Sequence, residues 1–335
     1  MFIRGRRLRQ NQNIRNLVEE TSISVNDLIM PIFLIEGKNK SEKIDSMPEI
    51  YRKTLDKQLE DIKSAAKLGI NAIIIFPAIK EKLKDPFGKE ALNKKGLVPK
   101  AIKAIKKAFP KMLIITDVAL DPYNSDGHDG ILKDGEILND KTVEILCRQA
   151  CIHAEFGADI VAPSDMMDGR VVKIREALDR KGFHNTAIMS YAAKFASSLY
   201  GPFREALNSE PKSGDKKSYQ INPKNYREAI KEILLDEAEG ADLLIVKPAS
   251  FYLDVIRTSS EASVLPIVAY QVSGEYSMIK AAAKNGYIDN DSVMKESLES
   301  MKRAGATIII TYFALEMARL LTVSYTHLRA HETRE

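Results

Sequence analysis

Lys247 ends an apolar run within Ala241–Ser250, ADLLIVKPAS, and a proline follows it at once. A run this short, bounded by Gly240 and Pro248, has the pattern of a strand buried on both faces. An ammonium at the end of such a strand is costly to desolvate. Burial lowers a lysine's pKa and leaves part of it as free amine. A free amine adds to a ketone or aldehyde and forms a Schiff base. Taken alone, the stretch equally fits a lysine whose head reaches solvent or pairs with an acid.

Other reactive side chains recur at comparable places. Asp117 and Asp121 follow one apolar run, and Ser164, Asp165 and Asp168 follow the next. Ser190, Tyr191 and Lys194 come after a third. Tyr270, Gln271 and Ser273 follow a fourth, and Tyr312 a fifth. Two lysines on adjacent strands would depress each other's pKa and supply two amines near neutral pH. Carboxylates and tyrosines beside them could pass protons.

These residues need a frame that brings strand ends together. Apolar runs occupy 28–35, 70–76, 112–120, 158–163, 186–191, the Lys247 stretch, 265–271 and 307–313. Helical spacing lies between most of them, at 55–68, 101–108, 142–156, 171–181, 225–239, 278–284 and 294–304. Gly69, Gly157, Gly240 and Gly305 each close a helix and feed a strand. Eight buried strands alternating with helices predict an α/β fold, a (β/α)8 TIM barrel. The competing open sheet lacks its phosphate loop, since Ile35-Glu36-Gly37-Lys38 matches the dinucleotide fingerprint poorly. In a barrel the C-terminal strand ends form the active face. The polar stretch 208–218, NSEPKSGDKKS, reads as a mobile loop on that face.

The domain reading is an N-terminal arm over 1–27 and a catalytic barrel over 28–321. A net charge of +4 over 335 residues argues for no nucleic-acid partner. No apolar stretch is long enough to span a membrane, so no membrane partner is expected. The N-terminus lacks the apolar core of a signal peptide. Cys147 and Cys151 read as reduced core thiols, and a cytoplasmic location is expected.

The motifs ADIVAPSDMMDGRV (158–171), IMSYAAKFASSLYGPFREA (188–206), LIVKPASFYLD (244–254), AYQVSGEY (269–276) and TYFA (311–314) resemble the porphobilinogen synthase, or 5-aminolevulinic acid dehydratase, family. The resemblance runs from about Arg6 to about Leu321. It implies a (β/α)8 barrel with an N-terminal arm, a homo-octamer, and condensation of two 5-aminolevulinate molecules to porphobilinogen in tetrapyrrole synthesis. It implies that Lys247 forms a Schiff base with the first substrate, whose carboxylate Ser273 and Tyr312 hold. Lys194 would do the same for the second, with Arg204 and Lys216 on its carboxylate. Asp117 would lie near the first substrate's amino group, and Tyr270 beside the site. Many relatives carry arginine at the Lys216 position, so a forked contact becomes a point charge here. The alternative for Arg204 is an exposed helix arginine, and for Ser273 and Tyr312 ordinary strand-end capping. A one-lysine aldolase and a non-catalytic scaffold are the rival readings. The second lysine argues against the first, and the intact ring of polar strand ends against the second.

Zinc-dependent relatives have three cysteines in the loop after the third strand. Here the positions hold Ala119, Asp121 and Asp129. Carboxylates suit hard cations rather than zinc. The expectation from this donor set is no catalytic zinc, with Asp121 and Asp129 as candidates for a hard loop cation. The resemblance implies an allosteric magnesium ion at Glu232, and a monovalent cation is a further expectation. Cys147, Cys151 and His153 do not read as a zinc set, because His153 leaves the helix face that the thiols share. His128 reads as a residue that helps order the aspartate loop. Residues 322–335, TVSYTHLRAHETRE, lose the apolar stripe and read as a non-native tail.

Overall fold

The computed structural model describes residues 2–322. Eight parallel strands form its centre. They are β1 (Leu28–Ile35), β2 (Ala72–Pro77), β3 (Leu113–Val118), β4 (Ile160–Pro163), β5 (Ala187–Lys194), β6 (Leu243–Lys247), β7 (Ile267–Gln271) and β8 (Ile308–Thr311). Each pairs with the next, and β8 returns to β1 through Leu28↔Ile309 and Ile29↔Ile310. The sheet is thus a closed barrel, the (β/α)8 architecture that the alternation predicts. β1 is buried along its whole length, since helices cover one face and the barrel core the other. All four helix-closing glycines adopt positive φ. At Gly305 a side chain is also excluded by space, because a Cβ would lie 2.2 Å from Ser260 Oγ.

The helices Leu55–Lys67, Asn139–Glu155, Arg170–Arg180, Tyr226–Ala238 and Asn290–Ala304 match the sequence reading closely. Helix Ser273–Lys284 begins five residues before the expected Met278. Its polar Ser-Gly start has no apolar stripe to betray it. Helix Leu253–Ala262 is an addition, since LDVIRTSSEA carries only Val255, Ile256 and Ser259 on its buried side. β5 extends past Tyr191 through Ala192, Ala193 and Lys194. Ala and Lys are poor strand formers, and pairing with β6 overrides that preference.

Two excursions stand outside the barrel. Within the segment 1–27 read as an arm, residues 2–22 carry a short helix at Gln12–Leu17 and no buried side chain, and Ile23 is the first to be buried. A small hairpin, Ser41–Lys43 with Tyr51–Thr54, follows β1 and pairs with its end. It reaches across the mouth to the short helix Gly201–Leu207. There Glu205 accepts the Asp45 N–H and the Ser46 hydroxyl, and Arg52 donates to the Glu205 and Ala206 carbonyls. Residues 208–218 contain neither helix nor strand, as expected. The last segment, 323–335, lies outside the described residues, and with it almost all of the expected tail.

Candidate active site

β5 and β6 both end in lysine, and Lys194 and Lys247 are direct partners in the ladder. Both side chains point into the barrel mouth and both residues are 5% exposed. Their surroundings differ. The Lys247 ammonium lies 4.5 Å from the Tyr270 ring centroid, 4.9 Å from Phe203, and 5.1 Å from both Tyr191 and Tyr200. Aromatic faces attract a cation more weakly than a carboxylate does. Burial, and then the neighbouring Lys194, therefore push the Lys247 amine down to about 7.

Lys194 sits on the acidic side. Its Nζ donates to the Ser164 carbonyl and lies 3.4 Å from Asp129 Oδ1. Lys216 reaches the same carboxylate at 3.1 Å and Asp121 at 3.8 Å. Burial alone would raise the Asp129 carboxyl, but Lys194 and Lys216 together hold it well below the usual range. Asp121 is raised by burial against the pull of Lys216. Asp117, on β3, is pushed up to about 7 by burial and then by Asp121, and its Oδ1 has no hydrogen-bond partner. A carboxyl near 7 can give or take a proton at neutral pH.

One cavity gathers both lysines with Asp117, Asp121, Asp129, Lys216 and Arg204. Arg204 comes from helix Gly201–Leu207, and its Nε has no partner. The cavity offers about 30 Å³, room for a water or two. Ser273 and Tyr312 are off its wall. Phe203, which lines the cavity, donates its N–H to Ser273 Oγ at 3.0 Å. Tyr312 lies 3.1 Å from the Tyr270 hydroxyl. Ser273 is thus engaged by the segment that covers the mouth.

Several strand-end residues face away from the cavity, because successive strand side chains alternate. Ser190 points outward to Arg170 and Asp236, and Gln271 to Thr311 and Ser297. Asp165 is buried beside Arg170. Asp168 lies in a separate cleft of about 410 Å³ with Glu228 and Glu232. Burial and then Asp236 raise the Glu232 carboxyl. Asp121 and Asp129, the candidates for a loop cation, face lysine ammonium groups, Asp129 both Lys194 and Lys216 and Asp121 Lys216. No group of three His, Cys, Asp or Glu side chains converges among the described residues. His153 lies 3.0 Å from Thr116 Oγ1, off the face with the two thiols. His128 joins Tyr219 to the Ser213 carbonyl, as befits an ordering residue. Gln220, Ser209, Tyr200 and Phe203 line the cavity without having been singled out.

The family model of delta-aminolevulinic acid dehydratase matches residues 2–320. The chain belongs to this family. A chloroplastic delta-aminolevulinic acid dehydratase of Glycine max is 54% identical over 320 residues, 95% of this chain and 77% of that one. The dehydratase of Chlamydia pneumoniae is 51% identical over 318 residues, 95% of this chain and 96% of its own. Among solved structures, the delta-aminolevulinic acid dehydratase (porphobilinogen synthase) of Toxoplasma gondii ME49 superposes with a TM-score of 0.94. It is 48% identical and covers 96% of this chain and 92% of its own, and it was crystallised with the reaction product porphobilinogen. The dehydratase family is therefore shown along nearly the whole chain, barrel and lysine pair included.

Proposed function

We infer that the chain condenses two molecules of 5-aminolevulinate to porphobilinogen with loss of two waters, a lyase step of tetrapyrrole synthesis. The observation that carries the chemistry is the pairing of Lys194 with Lys247 on neighbouring strands. Each amine would add to a substrate ketone and expel one water as an imine forms. An imine is an electron sink, so a proton can leave the carbon beside it and give an enamine. That carbon adds to the imine carbon of the other molecule, forming the C–C bond. The amino group of the acceptor molecule adds to the donor's imine carbon, forming the C–N bond. Both lysines leave as free amines, and loss of a final ring proton gives the pyrrole. Asp117 supplies a carboxyl able to move these protons.

In this reading Lys247 takes the first substrate, with Ser273 and Tyr312 on its carboxylate, Tyr270 beside it and Asp117 near its amino group. Lys194 takes the second, with Arg204 and Lys216 on its carboxylate. On the same reading residues 201–218, which cover the cavity, move aside for loading, which would also free the Ser273 hydroxyl from Phe203. Borohydride trapping with 5-aminolevulinate, followed by peptide mass spectrometry, tests the assignment. Adducts on Lys247 and Lys194 with porphobilinogen formed under chelator are expected. An adduct on Lys247 alone, without product, would favour a one-lysine aldolase. No adduct on folded protein would overturn the mechanism.

We further propose a zinc-independent, magnesium-stimulated enzyme. Ala119, Asp121 and Asp129 offer no thiolate. Glu232 lines an open cleft with Glu228 and Asp168, whose carboxylates do not converge, so a cation held at Glu232 would keep most of its water. Calorimetric titration of magnesium into a Glu232→Gln variant is the check, and unchanged binding would remove the site. Self-association as a homo-octamer is supported by the bare apolar side chains of the arm, Phe2, Ile3, Leu8 and Leu17. The two free thiols support a reducing compartment such as the cytoplasm.

A further inference from the structure

Glu275 lies in the third position of helix Ser273–Lys284 and is 1% exposed. Its Oε2 accepts the Val272 N–H at 2.6 Å, the ordinary reach of a capping glutamate back to the helix start. Its Oε1 does something a cap does not require. It accepts the Ser250 N–H at 2.6 Å, from the loop that leaves β6. Ser250 is three residues after Lys247, and Val272 directly precedes Ser273. One carboxylate therefore spans two strand ends.

A local explanation does not account for this placement. The capping glutamate needs only Val272 and would serve as well from the surface. The capping acid Asp27 likewise accepts its own turn's Ser24 N–H, but it is only partly buried and is compensated by the Lys302 ammonium at 3.3 Å. Glu275 is instead sealed from water and held by uncharged donors, chiefly the Val272 and Ser250 peptide N–H groups, so burial pushes its carboxyl up to about 7. A desolvated acid without a cation is destabilising unless every lone pair in use is well placed. The other side of the same two strand ends is also gripped. Tyr200 donates its hydroxyl to the Lys247 carbonyl at 3.2 Å, and Phe203 donates to Ser273 Oγ. A Cβ at Gly274 would lie 2.5 Å from the Leu199 carbonyl oxygen, so segment 199–203 presses directly on the β7 end. In the proposed function that segment moves aside for loading, whereas Glu275 lies inside the fold.

We propose that Glu275 is a positioning residue that locks the end of β6, bearing Lys247, to the end of β7, bearing Ser273, so that amine and carboxylate contact stay in register when the covering segment opens. The proposal rests on the assignment of Lys247 and Ser273 to one substrate. Glu275 touches neither substrate nor reacting atom.

The test uses 4-oxopentanoate, which has the substrate's ketone and carboxylate but no amine, so it halts at the imine. Borohydride trapping is titrated on full-length protein, and adducts at Lys247 and Lys194 are counted separately. Glu275→Gln keeps the shape but places an amide N–H₂ against one of the two peptide donors. The concentration for half-maximal trapping at Lys247 is expected to rise about tenfold, with Lys194 unchanged. Glu316→Gln is the control, since Glu316 pairs with Lys280 of the same helix at 2.7 Å. It should lower Tm without moving either titration. If Glu275→Gln traps as wild type does, or loses both lysines equally in proportion to its Tm, the positioning role is overturned. If Glu275→Gln fails to fold, Glu275→Asp, too short to reach both donors, gives the same reading. Absence of any adduct in the wild type would overturn the substrate assignment instead.

Discussion

The two lysines share a residue type, a depth and a ladder rung, yet one is ringed by aromatic faces and the other by carboxylates. The order of strands around the barrel explains this. Lys247 on β6 borders β7, which offers Tyr270, and is covered by Tyr200 and Phe203 from the segment after β5. Lys194 on β5 borders β4, with Ser164, and faces the β3 loop that carries Asp121 and Asp129. A buried amine with little compensation is available to attack. A buried amine anchored to an acid and a carbonyl must first leave those contacts. In the proposed mechanism one fold thus gives two copies of one nucleophile different readiness, through their neighbours rather than their own positions.

The largest effect should come from removing either amine. Lys247→Met and Lys194→Met should each lower kcat by on the order of 10³-fold or more. The comparison predicts an asymmetry. Lys194→Met should still trap substrate on Lys247, whereas an Lys194→Met variant that traps nothing would show the halves to be one unit. Asp129→Asn should come next. It strips Lys194 and Lys216 of a shared buried partner, a change of about 3–5 kcal/mol that a Tm shift would report. An unchanged Tm would mean the acidic half is not held by that pair.

A pH series is gentler. The Lys247 pKa is depressed, so the free amine grows as pH rises through about 7. Trapping at Lys247 should rise through that window and fall below it, and a flat profile would break the contrast. The smallest effect is expected from Lys216→Arg. A planar fork in place of a point charge should lower KM about two- to tenfold and leave Lys247 trapping unchanged.

Much of this was legible in the chain. Buried parallel strands read as unbroken apolar runs, so all eight could be placed, and the strand ends pointed to Lys247, Lys194, Asp117 and Tyr312. The aromatic wall was not legible. Tyr200 and Phe203 stand in a motif dominated by its lysine, and nothing local says that the chain doubles back to lay them over the neighbouring strand end. Gln220 follows the polar loop and carries no periodic signal. The pairing of Asp129 with two lysines was equally hidden, since their partners lie 65 and 87 residues away in sequence. Outward residues such as Ser190 and Gln271 look the same as inward ones until the exact phase of the strand is known.

Adjacent parallel strands stand about 4.8 Å apart wherever they occur. Because Lys194 and Lys247 occupy one rung, peptide hydrogen bonds set the spacing of their Cα atoms. The barrel therefore acts as a gauge at the level of the backbone. In the proposed function it roots both amines at a separation that a loop substitution does not retune, while the contacts of each ammonium decide where its tip lies. Drift in the surrounding loops would alter how readily the gauge is filled while leaving its calibration intact.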